Sequence, residues 1–324
     1  MLKKMPNVLS AEDLLEWAFK KAKKKKITDR NALYKKKKTI IARTESFATN
    51  IISTLEKYVK EFPSIENLPL FYQELIDIKI DVNKLKKSLG AVDWARKTCK
   101  NIFSKQARSL KKSGKINFLM QKQKEINGRI SSVIKQISNE LDLLADAQNI
   151  IRKFPDISDI PTIVIAGYPN VGKSSILKYL SKARPEIAQY PFTTKEIHVG
   201  HIEKKEKYIF KRFQLIDTPG LLDGSPSEKN EIEKQAIAAL THLSDIIIFV
   251  IDCSEACGYT LEDQKKLISQ IKKTFSTSHI ILVENKVDIK RINSTNLKIS
   301  CETGEGMDIL LKKIFSYFKS KNND

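Results

Sequence analysis

Apolar residues are spaced in two different ways along this chain, and the change comes near residue 155. Before it they recur at steps of three, four and seven. Ile126, Ile130, Val133, Ile137, Leu141, Leu144 and Ile151 keep that rhythm, which predicts one long amphipathic helix. Gly128 falls inside it and weakens it by about 1 kcal/mol relative to Ala. The stretch "SAEDLLEWAFKKAKKKK" predicts an earlier helix. Ser10 is its N-cap, Asp13 completes a capping-box pattern, and lysines crowd the end where the helix dipole favours cations. Further helices are expected around residues 40–61, 67–80 and 83–111, punctuated by Pro63, Pro69 and a "KKSGK" turn at 111–115. Only Gly90, Gly114 and Gly128 interrupt the first 160 residues, and no internal repeat is visible. The simplest architecture for residues 1–156 is an all-α helical bundle.

Beyond the change the apolar residues form short runs. "PTIVIAG", "IHVGHI", "YIFKRFQLID", "DIIIFVID", "HIILVEN" and "LKIS" read as six strands, the second and third as a hairpin. Helical patterns follow from about Gly172, at 229–243, at 260–274 and from Met307 to Phe318. Continuous apolar strands alternating with helices imply a mostly parallel six-stranded sheet covered on both faces, an α/β domain over residues 157–324. The join falls in "RKFPDISDIPT", where two prolines interrupt the pattern.

Composition adds limits. A chain of 324 residues has room for two cores. The longest apolar run, residues 246–251, is far short of the roughly 20 residues that cross a bilayer. "MLKKMPNVLS" has no apolar core behind its lysines, so a cytoplasmic protein without a membrane partner is expected. Cys99, Cys253, Cys257 and Cys301 match neither a disulfide framework nor a zinc pattern and are expected to be reduced packing residues. Charge changes the picture more. The formal net charge is +20, with 34 Lys and Arg against 18 Asp and Glu in residues 1–160, and 24 against 20 thereafter. A basic half points to a polyanion, because neutralising phosphates releases counterions. Nucleic acid is the favoured reading over a merely solvated lysine face or an anionic membrane.

The chemistry lies in the second half. "GYPNVGKSS", residues 167–175, fits G-x-x-x-x-G-K-[ST] after a strand and before a helix. In such a loop the backbone of Gly167, Tyr168, Pro169, Asn170, Val171 and Gly172 turns its N–H groups inward, with Ser174 and Ser175 opening the helix. Lys173 would reach the β- and γ-phosphates, and Ser174 would ligate Mg²⁺. Asp217-Thr218-Pro219-Gly220 closes a strand: Asp217 is placed to hold Mg²⁺ through water, and the Gly220 N–H to bond the γ-phosphate. Another strand ends in Asn285-Lys286-Val287-Asp288. A carboxylate accepts from N1–H and the N2 amine of guanine, and adenine offers neither donor, so Asp288 selects GTP and GDP. Asn285 would steady the loop and reach N7, and the Lys286 stem would lie along the base. Ser300, Cys301 and Glu302 in "SCETGEG" look like the loop whose backbone meets guanine O6; an ordinary turn is the other reading. "YPFTTKE" is the expected first switch, with Thr194 offering its hydroxyl to Mg²⁺ and Thr193 as the alternative. The whole describes an α/β P-loop GTPase domain.

One expected catalyst is missing. Where Ras-type enzymes place a water-orienting Gln after D-x-x-G, this chain has Leu221. Intrinsic hydrolysis should therefore be slow, or another group helps. Asn170 could hold a K⁺ ion in place of an arginine finger, or only shape the loop. His198, His201 and His242 are bases by type but belong by pattern to the sheet or the following helix. "DGSP", residues 223–226, reads as the second switch.

Together "GYPNVGKSS", "YPFTTKEIHVGH", "LIDTPGLLD" and "QAIAALTHLSDIIIFVIDCSEACGYTLEDQ" resemble the Obg-related GTPases, and within them the nucleolar GTP-binding protein family in its short, archaeal-like form. The likeness extends to the helical N-terminal half, whereas Obg proteins proper begin with a glycine-rich β domain. Eukaryotic relatives continue well past the point where this chain reads "KSKNND", and functions tied to that extension are not carried over. The resemblance implies a GTP-hydrolysing factor of large-ribosomal-subunit assembly. It would bind ribosomal RNA or a precursor particle through the basic helical half under nucleotide control, with other assembly factors as possible partners. A module in which GTP is structural and turnover incidental is the alternative. A role in tRNA modification or membrane traffic has no supporting motif.

Overall fold

The computed structural model describes residues 5–112, 115–155, 157, 158, 160–181, 185–189, 195–206, 209–224 and 229–321. The chain divides into two compact units, Met1–Asn67 with Lys79–Arg152 and Leu68–Ile78 with Lys153–Asp324. Among the described residues six α-helices precede the sheet: α1 (Ala11–Lys23), α2 (Ala32–Glu61), α3 (Leu70–Lys79), α4 (Val82–Lys112), α5 (Ile116–Gln136) and α6 (Ser138–Ile151). All but α3 build the first unit.

Each helix of that unit turns one apolar stripe inward. Leu14, Leu15 and Ala18 of α1, Phe47, Ile51, Leu55 and Tyr58 of α2, and Leu85, Val92 and Cys99 of α4 are buried together with the stripe that begins at Ile126. That stripe runs over two helices rather than one. The backbone leaves helical geometry at Ile137 (φ −104°, ψ 21°), and α6 starts at Ser138. Ser138 and Asn139 favour helix starts over helix interiors, and the break leaves Ile137 itself buried. Gly128 is tolerated inside α5. Ser10 does cap α1, its hydroxyl accepting from the Asp13 N–H at 3.1 Å. The return bond of a capping box is replaced by one from the Ser10 hydroxyl to the Asp13 carboxylate at 2.8 Å, since Asp is a methylene shorter than Glu. Ahead of α1 the chain is fastened by buried polar groups: Val8 N–H donates to Gln148 Oε1 (3.2 Å), Gln148 Nε2 to the Pro6 carbonyl, and Leu9 N–H to the Tyr58 hydroxyl (3.0 Å).

The second unit holds β1 (Thr162–Ala166), α7 (Lys173–Leu180), β2 (Glu186–Gln189), β3 (Glu196–Glu206), β4 (Ile209–Asp217), α8 (Glu231–Thr241), β5 (Ile246–Asp252), α9 (Leu261–Thr274), β6 (His279–Asn285), β7 (Leu297–Lys298) and α10 (Met307–Lys321). The sheet order is β2-β3-β4-β1-β5-β6-β7. β1 pairs in parallel with β4 and β5, β5 with β6, and β6 with β7; β2 and β3 run antiparallel to their neighbours. Among the described residues the strands number seven rather than the expected six. β2, "EIAQ", has no apolar run because it is an edge strand with Ile187 turned to solvent. β1 and β5 are buried at every position, which is why they read as continuous apolar runs. Their carboxyl ends lie on the same edge as those of β4 and β6, so four loops converge there.

α3 precedes the sheet by some eighty residues, yet all but its last residue belongs to the same compact unit. The Tyr72 hydroxyl donates toward the carbonyls of Pro155 (2.9 Å) and Ile157 (3.0 Å) and accepts from the Ile157 N–H (2.8 Å), holding the segment that leads into β1. No helix among the described residues is long and apolar enough to cross a membrane. We expect Tyr72→Phe to strand buried backbone groups and lower stability by about 1–3 kcal/mol. Urea unfolding followed by the near-ultraviolet signal checks this, and an unchanged midpoint would contradict it.

Candidate nucleotide site

The loop between β1 and α7 is shaped by two glycines. Gly167 (φ +143°) and Gly172 (φ +102°) adopt backbone that other residues rarely take. A Cβ on Gly172 would fall on the Asn285 amide, and one on Gly167 would lie 2.6 Å from the Val250 carbonyl oxygen. Asn170 also has positive φ (+62°), which asparagine tolerates better than most residues, and it is exposed.

Asn285 is the joint of the site. It ends β6 fully buried; its Nδ2 donates to the Val171 carbonyl at 2.8 Å, and its Oδ1 accepts from the Cys301 N–H at 3.2 Å. One side chain thus ties the loop after β1 to the loops after β6 and β7. The cavity these loops enclose, about 740 Å³, is lined by Pro169, Asn170, Gly172, Lys173, Ser174, Ser175, Pro219, Asp223, Asn285, Lys286, Asp288, Ile289, Cys301 and Glu302. Gly167 and Val171 hold the loop from behind. Tyr168 stacks on Tyr259 with ring centroids 4.1 Å apart. Asp288 and Glu302 are exposed on the cavity wall; Ser300 is buried behind Cys301, whose thiol burial pushes up to about 11.

Lys173 is nearly buried. Its ammonium donates to the carbonyls of Gly167 (2.9 Å) and Tyr168 (2.8 Å) and pairs with Asp223 Oδ1 at 2.8 Å. Ser174 Oγ donates to Asp217 Oδ2 at 2.6 Å. Asp217 is fully buried at the end of β4, and burial raises its carboxyl against the pull of Ser174 and Lys173. Its Oδ1 has no hydrogen-bond partner among the described residues. A buried carboxylate oxygen left over beside a serine hydroxyl suits a Mg²⁺ ion held through Ser174 and, by way of water, Asp217. Gly220 (φ +74°) donates its N–H to Asp223 Oδ2 at 2.9 Å. Leu221 is fully buried, so it has no access to a water in the cavity.

Thr193 and Thr194 lie outside the described residues, as do Ser225 and Pro226. His198 and His201 stand on β3 and His242 caps α8, where it pairs with Glu74 at 2.7 Å. Only His198 approaches the site, its Nδ1 3.7 Å from Asp217 Oδ2.

Several residues in this edge were not singled out from the sequence. Asp252 at the end of β5 accepts from the Lys286 ammonium (2.6 Å) and the N–H groups of Ser254 and Cys257 (both 2.9 Å). Burial works against its charge, but the bonds from Lys286 and Ser254 prevail and hold its carboxyl below the ordinary value. Gln264 of α9 braces the same loop, accepting from Asp252 N–H (2.8 Å) and donating to the carbonyls of Asp252 (3.1 Å) and Tyr259 (3.0 Å). Lys286 itself has φ +62°. Its stem is therefore fixed at both ends, by backbone geometry and by the carboxylate.

Comparison with known proteins places this arrangement. The family described as NOG1 N-terminal helical domain matches residues 2–158, and the one described as 50S ribosome-binding GTPase matches residues 162–286. The nucleolar GTP-binding protein 1 of Drosophila melanogaster is 34% identical over 296 residues, 89% of this chain and 44% of that one. The chain belongs to the nucleolar GTP-binding protein 1 family. An uncharacterized protein of Methanocaldococcus jannaschii is 38% identical over 291 residues, 89% of this chain and 81% of that one. A solved Plasmodium falciparum structure, described as a candidate nucleolar GTP-binding protein 1, is 32% identical with a TM-score of 0.45, covering 52% of this chain and 92% of that one. This chain spans less than half the length of the fly member. Family membership accounts for a helical N-terminal domain followed by a P-loop GTPase domain.

Two outcomes follow from the joint and its brace. Asn285→Ala should weaken both GTP and GDP at least about tenfold by freeing three loops at once; unchanged titrations would contradict it. Asp252→Asn should lower stability at neutral pH. Because the folded carboxyl is depressed, the difference from wild type should be full above about pH 3.8 and shrink as pH falls further. Thermal melts between pH 3 and pH 7 read this directly, and a difference that grew on acidification would contradict it.

Proposed function

We propose that this protein is a GTP-binding and GTP-hydrolysing factor of large-ribosomal-subunit assembly. The basic helical domain, residues 1–156, binds ribosomal RNA or a precursor particle, and the GTPase domain, residues 157–324, times that binding. The protein works in the cytoplasm, with assembly factors as possible further partners. The observation that carries the reading is the Asn285 tie, which sets a guanine-type carboxylate, Asp288, on the same cavity as Lys173 and Ser174. In this reading Gly167, Tyr168, Pro169, Asn170, Val171, Gly172 and Ser175 cradle phosphate, and Lys173 and Gly220 hold the γ-phosphate. Ser174, Asp217 and Thr194 hold Mg²⁺. Asn285, Lys286, Asp288, Ser300, Cys301 and Glu302 surround the base. Asp288 gives guanine selectivity through two hydrogen bonds, and its exposure on the wall leaves both carboxylate oxygens able to accept them.

The polyanion side of the reading rests on one end of the bundle. Lys20, Lys21 and Lys23 close α1, residues 24–26 are all lysine, and Lys35, Lys36, Lys37 and Lys38 open α2 beside an exposed Tyr34. Lys38 is engaged by Asp29, and Lys37 lies over the Tyr34 ring. Such a cluster offers phosphate contacts with an aromatic face for an unpaired base.

A buried Leu221 favours a second reading, in which GTP is bound and hardly turned over. Asn170 bears on the choice through a K⁺ ion. Single-turnover hydrolysis with and without K⁺ and ribosomal RNA separates the two; no acceleration under any condition selects the binding module. The main reading is tested by pelleting with large-subunit precursor particles. Association should differ between GTP and GDP, and equal or absent association would overturn it. Asp288→Asn should weaken GTP roughly 10- to 100-fold and favour xanthosine nucleotides; retained guanine preference would contradict the base assignment. Replacing Lys35, Lys36 and Lys37 by Ala should lower RNA affinity and flatten its logarithmic salt dependence by about 2–3. An unchanged slope would remove these lysines from the interface.

A further inference from the structure

We propose that Asp223 is a discriminator between di- and triphosphate, acting as an internal competitor of the γ-phosphate. This rests on the guanine-nucleotide reading above and names a residue that reading does not use. In that reading two groups of the site, the Lys173 ammonium and the Gly220 N–H, would meet a terminal phosphoryl oxygen. Both are met by one carboxylate: Asp223 Oδ1 lies 2.8 Å from Lys173 Nζ as an ion pair without hydrogen-bond geometry, and Asp223 Oδ2 accepts from Gly220 N–H at 2.9 Å. The side chains of Asp223 and Lys173 are 8% and 6% exposed, so this is a sheltered ion pair rather than a surface contact. A carboxylate and a phosphoryl group are both anions with acceptor oxygens at similar spacing, and one pair of donors cannot serve both.

The segment is held for this contact. Lys229 Nζ donates to the carbonyls of Gly220 (2.8 Å) and Asp223 (3.2 Å), cinching residues 220–223 into a tight turn. Gly220 (φ +74°) and Gly224 (φ +94°) allow the chain to fold back on itself. Leu221 and Leu222 are buried, anchoring the turn while its carboxylate faces the cavity. For GTP to reach Lys173 and Gly220 together, Asp223 has to swing away. GDP ends at the β-phosphate and meets Lys173 but not Gly220. The competition therefore weighs on the triphosphate more than on the diphosphate, and its weight is set by how fully the Asp223-bound arrangement is populated. When the cleaved phosphate leaves, the same carboxylate is positioned to take its two contacts again.

The test uses the full chain with Mg²⁺, titrating GDP and a non-hydrolysable GTP analogue into wild type, Asp223→Asn and Asp223→Ala, with circular dichroism to check folding. Both variants should bind the GTP analogue roughly 3- to 10-fold more tightly while GDP changes less than about twofold. Lys229→Ala, which loosens the turn and keeps the carboxylate, should shift the ratio in the same direction by less. An unchanged ratio, or weaker binding of the analogue in the variants, overturns the proposal and leaves the guanine site standing. If wild type binds neither guanine nucleotide, both the proposal and the site reading fall.

Discussion

A single carboxamide sets the geometry on which the rest depends. Asn285 reaches across 114 residues of sequence to the loop after β1 and across 16 to the loop that follows β7. The three loops come from different strand ends, and each alone would have freedom that a ligand must suppress. Fixing them beforehand moves that entropy from binding to folding. Gly172 completes the constraint, since any side chain there would occupy the space of the amide. The loop after β1 and the loops after β6 and β7 are thereby one object.

A second layer holds that object in place. Asp252 and Gln264 brace the segment after β5, and Lys286 is drawn onto Asp252 rather than left to solvent. Tyr259 from the same segment stacks on Tyr168. The electrostatics are economical. Buried Asp217 keeps one oxygen without a hydrogen-bond partner among the described residues beside Ser174, while buried Lys173 shares its charge among two carbonyls and a carboxylate. Each charged group is compensated in part and retains capacity for a ligand.

The sequence made much of this legible. The change of period near residue 155 separated helices from strands, and fully buried strands such as β1 and β5 left unbroken apolar runs that nothing else explains. It was less informative where structure is decided at a distance. The stripe from Ile126 to Ile151 has no visible interruption because the break at Ile137 keeps every one of its apolar residues buried. β2 was hidden because an edge strand with one wet face needs no pattern. α3 looked like one more bundle helix, and the hydrogen bonds of Tyr72 and the Glu74–His242 pair show that it belongs with the second unit. Within the site, residues tied to local motifs could be named from spacing alone. Lys229, Asp252 and Gln264 could not, because their significance lies in partners that only the folded loops bring to them, and Asp223 was legible only as part of the expected second switch. An aspartate at the end of a β strand, as Asp252 is, was the one available signal.

What unites these features, in the function proposed above, is a cavity that would take one base and a triphosphate, carried by a chain whose other half is rich in cations. The most direct measurement of that claim is a parallel titration of the purified full chain with GTP and with ATP in Mg²⁺. The account predicts GTP preferred by about a thousandfold or more, since adenine would leave Asp288 facing an acceptor nitrogen. Comparable affinities for the two nucleotides would contradict it.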